Sequence, residues 1–224
     1  MGRVRATPRV ARTESRGGAP PGRTGSVRAA ENLRGRTVNY VLLACRMAVG
    51  LTFLVSLASK LRGRDSWLRF AEAAALLLPG RTTARPGERR HLLAAAVALV
   101  EGAVVVLTAL PATTRAAFTV ALAALAAFSF VIHAAIRGGR AVPCHCFGGG
   151  RRSPVGSADL VRNAVLGLIA LTGLALTVLV PVRGPDEVAG AAVAFLAALL
   201  VTVLVVLTGE IAGLFGLTRE SGWR

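Results

Sequence analysis

The chain has 224 residues, 54% hydrophobic and 5% aromatic, with a formal net charge of +16. The apolar residues are gathered in long Ala/Val/Leu runs rather than spread at amphipathic spacing. That excludes an ordinary soluble domain and predicts an all-α polytopic membrane protein. The excess charge is almost all arginine, placed in tails and loops with few aromatics to stack bases. Nucleic acid is therefore not expected as a partner, and anionic lipid headgroups account for the charge.

Residues 1–37 are rich in Arg, Gly, Pro, Ser and Thr, without apolar periodicity. They read as a disordered basic tail. No apolar run follows at the distance a secretory signal requires. Ala6 stands where a myristoylation pattern needs Ser or Thr. The first span is predicted over residues 40–58, close to the ~20 residues a bilayer demands. Residues 66–79 look helical but too short to cross, and are expected at or dipping into the interface. Residues 80–90 read as a polar loop. A second span follows over 92–110 and a short turn at 111–115. A third covers 116–136, so the second and third are antiparallel neighbours. Residues 137–162 form a loop, and the fourth and fifth spans cover 164–182 and 188–207. The expected organisation is a tail over 1–37, a transmembrane core over 38–182, and a further helix with a short tail over 183–224.

The loop between spans three and four holds Pro143-Cys144-His145-Cys146-Phe147-Gly148-Gly149-Gly150, with two of the three cysteines. Three cysteines are too few for a disulfide scaffold. Two thiols one residue apart beside a membrane helix suggest sulfur redox chemistry or soft-metal binding. Bridged cysteines need Cα atoms roughly 4.4–6.8 Å apart, so an extended pair must bend into a turn. Pro143 fixes one backbone angle before the pair, and the glycines after it free several more. A disulfide in so small a ring should be strained and easily reduced. Arg140, Arg151 and Arg152 favour the thiolate. His145 would act likewise when protonated, or would add a nitrogen ligand for copper or zinc.

Two charges fall inside spans. A carboxylate in mid-span is costly and is a functional candidate by default. Counting helical rise from the predicted span ends places Arg46 and Glu101 at similar depth below one membrane face. An Arg46–Glu101 ion pair in the bundle interior is therefore expected, as a structural pair, a polar floor beneath the thiols, or a proton relay. Lys60 ends the first span and reads alone as an interfacial lysine with a buried stem. Cys45 reads as a small buried hydrophobe, and His133 as an interfacial or packed histidine. Arg162-Asn163 opens the fourth span, at a headgroup or under the folded-back cysteine loop.

Orientation draws on opposing rules. With the N-terminus inside, the cytoplasmic segments hold 11 Lys/Arg and the outer ones 15, against the positive-inside bias. That rule weakens in long loops, the first helix often dominates, and disulfides persist outside the cytoplasm. The expected topology keeps the N-terminus inside and the cysteine loop extracytoplasmic, in a multi-pass protein of the cell membrane.

Taken together, these residues resemble the methylamine-utilisation MauE family, within the wider MauE/DoxX-like group of redox-associated membrane proteins. The matching pieces are Arg46, Gly50 and Phe53, Ser59-Lys60-Leu61, Phe70, Glu101, Cys144-x-Cys146-Phe147-Gly148 and Arg162-Asn163. They cover about residues 40–182, and the C-x-C-F-G followed by R-N is the most specific part. The resemblance implies a four-helix membrane core, here with a fifth C-terminal transmembrane helix. It also implies a role in making or maintaining disulfides of exported proteins, in the family the small subunit of methylamine dehydrogenase, beside a thioredoxin-like partner.

The reading this supports is thiol–disulfide exchange or electron transfer at the membrane. Cys144 and Cys146 are the redox pair, and Arg46, Lys60 and Glu101 shape the polar interior. No cofactor is evident, and nothing indicates a quinone. Two alternatives stand beside it. One is a metal-handling protein with Cys144, His145 and Cys146 as soft ligands. The other is a non-catalytic assembly factor that holds a partner enzyme.

Overall fold

The computed structural model describes residues 24–77, 86–138, 157–179 and 187–214. The chain divides into two compact units, Met1–Arg34 and Gly35–Arg224. Of the first, the described part is helical from Thr24. All packing described below belongs to the second.

The described residues form six α-helices joined in part by a 3₁₀ turn at Pro111–Thr113: α1 Thr24–Leu61, α2 Arg64–Leu77, α3 Pro86–Ala109, α4 Thr114–Arg137, α5 Ser157–Leu179 and α6 Val188–Leu214. Five stretches are long and apolar enough to cross a membrane: Leu33–Leu61, Gly87–Ala109, Pro111–Arg137, Ser157–Leu179 and Val188–Leu207. With no water in a bilayer core, each backbone N–H and C=O must be paired within the chain, which a helix does by itself. The chain is an all-α polytopic membrane protein.

Several boundaries differ from the sequence expectation. The tail expected to be irregular over 1–37 is helical from Thr24 onward, since Ala29, Ala30, Glu31, Leu33 and Arg34 are good helix formers. The expected polar loop 80–90 already contains the start of α3 at Pro86. Proline suits the first helical turn, where its missing N–H costs nothing, and Glu88 complements the helix dipole there. The expected loop 137–162 contains the start of α5 at Ser157, with Asp159 in its first turn. Arg162 and Asn163 therefore lie inside α5 rather than at its opening.

The spans connect in series. α3 packs on α4, α4 on α5 and α5 on α6. α1 meets α3 near Thr108 and Glu101 and meets α6 where Tyr40 lies against Gly190. Leu42, Val49 and Phe53 of α1, Val104 of α3, Phe118 and Ala121 of α4, Leu166 and Ala170 of α5, and Val205 of α6 share one buried cluster. Glycines set the closest approaches. A side chain at Gly173 would run into the Phe118 ring, and one at Gly50 would sit 2.7 Å from the Thr108 hydroxyl. Outward-facing Leu168, Leu171, Val193, Leu196 and Leu200 are exposed, as the lipid-facing side of such helices must be.

The non-spanning helix α2 packs against α3 and α4. Phe70 and Ala71 are buried with Ala94, and Trp67 and Val97 pack against them. The Trp67 indole N–H donates to His91 Nδ1 at 3.3 Å.

Candidate functional site

The site is built where α1 crosses α3. Leu57 lies against Gly102 and Gly50 against Thr108, so the helices run antiparallel with Ser56 opposite Glu101. Glu101 and Lys60 are each 2% exposed. Lys60 Nζ forms an ion pair with Glu101 Oε1. Ser56 Oγ donates to the same oxygen at 2.9 Å and accepts from Lys60 Nζ at 3.1 Å. The Lys60 ammonium also sits 4.6 Å from the centre of the Phe70 ring. A cation over an aromatic face is attracted by the ring quadrupole, more so when desolvated. Lys60 is thus bonded to α3, to its own helix, and to α2. Glu101 is not so served. Its Oε1 takes both donors, while its buried Oε2 has no hydrogen-bond partner.

The expected Arg46–Glu101 pair does not form. Arg46 instead donates from Nε to the carbonyl of Thr108 at 2.5 Å and from a terminal nitrogen to that of Ala109 at 3.0 Å. These carbonyls belong to the last turn of α3, which has no intrahelical donors to satisfy them. The reason lies in the register. The expectation matched the end of the first span to Leu92, but α3 starts six residues earlier and extends past the end of α1. On α1 the residue level with Glu101 is Ser56, ten positions beyond Arg46 and about 15 Å away by helical rise. Arg46 is a cap and Lys60 the counter-ion. Lys60, expected at the interface, is buried.

Arg115 repeats the device, donating from the start of α4 to the carbonyl of Thr177 in the last turn of α5 at 2.8 Å. Arg162 and Asn163 are buried in α5, and Asn163 faces α4. Asn163 Nδ2 donates to Ser129 Oγ at 3.4 Å and Arg162 lies 3.7 Å from Asp159. Cys45 is a free thiol packed against the core cluster. His133 is exposed. Cys144, His145, Cys146, Phe147 and Gly148 lie outside the described residues.

Sequence reasoning missed Ser56, Phe70 as a partner of Lys60, and the Trp67–His91 bond. Ser56 and Lys60 lie four apart, the spacing that puts two side chains on one helix face; that signal was available.

A bundle of five apolar helices with a buried ion pair, a tucked half-helix and polar buried residues in α5 defines a polytopic membrane protein with a polar interior. The model of the family described as methylamine utilisation protein MauE matches residues 38–176, and the chain belongs to that family. No curated protein and no solved structure matches it.

Proposed function

We propose that this protein supports thiol–disulfide exchange in an exported partner, with Cys144 and Cys146 as the redox pair. The supporting observation is where the polar residues lie. α4 ends at Arg137 and α5 begins at Ser157, so the two helix ends that flank the cysteine segment lie at one end of the bundle. Buried Asn163 and Arg162 of α5 sit at that same end, as do α2 and the Lys60 end of α1. A buried charge pair in a membrane is expensive, and a lipid-filled bundle has no need of one. In this reading the cysteine segment faces outwards, the N-terminus stays inside, and the partner is a thioredoxin-like protein or an exported disulfide-containing client. Methylamine dehydrogenase is the client implied by the family.

The test is to trap the partner. Cys146→Ser should leave Cys144 able to form a mixed disulfide that the second thiol would otherwise resolve. That adduct should be stable, absent in Cys144→Ser/Cys146→Ser, and cleaved by reductant. A double variant that still supports full oxidation of exported proteins would exclude a redox role and leave a non-catalytic assembly factor.

A further inference from the structure

We propose that Glu101 is a proton-binding site inside the membrane, with Oε2 the atom that takes the proton and Lys60 the cation that sets its affinity. The inference rests on the buried cluster alone and does not depend on the cysteines. A carboxylate spreads its charge over both oxygens. In Glu101 only Oε1 is served, by Lys60 and Ser56, while Oε2 is buried without a donor. The ionised form therefore leaves half of its charge unsolvated where water cannot make up the difference. Adding a proton at Oε2 removes that charge and keeps Oε1 as the acceptor for Lys60 and Ser56, but it leaves the buried Lys60 ammonium without its counter-charge. The opposing influence is Lys60, which favours the ionised form. The two influences oppose each other on one carboxyl group, the first at Oε2 and the second at Oε1, as a site that both takes and gives up a proton requires.

Among the described residues, no other charged group pairs with Glu101. α2 presents the Phe70 ring to Lys60, and its own Arg64, Asp65, Arg69 and Glu72 are exposed. The buried residues of α4 are Ala117, Phe118, Ala121, Ala124, Leu125, Ile132, Ala135 and Thr114, none of them titratable. His91 is ten residues back along α3 and bonded to Trp67. A route for exchange is at hand, because Leu61, Arg62, Gly63, Arg64 and Asp65 directly after Lys60 are all exposed. The charged side chains of that turn must meet water or headgroups. The step is simple in balance: the carboxylate gains one proton from water at this turn and returns it there, with no electron transferred.

Infrared spectroscopy of the full chain in lipid nanodiscs, recorded across a pH series, tests this. A protonated-carboxyl C=O band should appear and fade with pH, vanish in Glu101→Gln and move in frequency in Glu101→Asp. In Lys60→Met the same band should persist to higher pH. Where Glu101→Gln does not accumulate, Ser56→Ala supplies the second test. It removes a donor to the carboxylate, so the band should fade at higher pH than in the wild type. A band absent at every pH, or unchanged in Glu101→Asp and Ser56→Ala alike, would overturn the proposal. Glu101 would then be a permanent carboxylate whose Oε2 is held by a trapped water.

Discussion

Lys60 of α1 and Glu101 of α3 form a buried ion pair, with Ser56 hydrogen-bonded to both. Each charge is almost wholly withdrawn from solvent, so each needs the other. Removing one partner of a buried pair costs roughly 3–5 kcal/mol, because the survivor is left uncompensated. Lys60→Met and Glu101→Gln should each lower the yield of folded protein in the membrane. The double variant should regain much of that loss, as read by membrane abundance and thermal unfolding in detergent. Strictly additive losses would show that the two do not meet. Arg46 gives the matching control. It bonds carbonyls of α3 about 10–12 Å from Glu101 by helical rise, so Arg46→Gln and Glu101→Gln should add within about 0.5 kcal/mol. A coupling well above that would restore the Arg46–Glu101 pair.

At the scale of helices, close approach is decided by glycines facing large side chains. Gly173 meets the ring of Phe118, while Gly102 has only a Leu57 methyl at 3.8 Å. Both lie in apolar helices, yet Gly173→Ala should destabilise by roughly 1–3 kcal/mol through overpacking. Gly102→Ala should be neutral or mildly stabilising, since alanine is the better helix former. Thermal unfolding of the two variants in one detergent separates the cases, and equal melting shifts would refute the α4–α5 packing. What the sequence could show at this scale follows the same logic. Five apolar runs are legible because a bilayer fixes their length and hydropathy. The start of α3 is not, because Glu88, Arg89 and Arg90 look like loop residues while being good helix formers beyond the apolar run. That misplaced end moved the expected depth of Glu101 and assigned it Arg46. Lys60 was marked as a site residue, but one residue from the end of its helix it resembles an interfacial lysine. Only the fold of α2, which brings Phe70 over the ammonium, shows it buried.

For the whole molecule, the sequence placed the cysteines in the segment between the third and fourth spans, and α4 and α5 bracket that segment at one end of the bundle. The proposed topology puts this end outside the cell. A membrane-impermeant maleimide should then label Cys144 and Cys146 in intact cells after mild reduction, while Cys45, packed at the core, stays unlabelled. Labelling only after lysis would invert the topology and satisfy the positive-inside bias. The most direct measurement of the proposed function is thiol trapping of the wild-type protein in membranes equilibrated at graded glutathione potentials. The account predicts that Cys144 and Cys146 pass between dithiol and disulfide together, within the range of exchange catalysts, with Cys45 reduced throughout. Cysteines that never pair, or a pair that resists reduction to below about −300 mV as inert structural disulfides do, would contradict it.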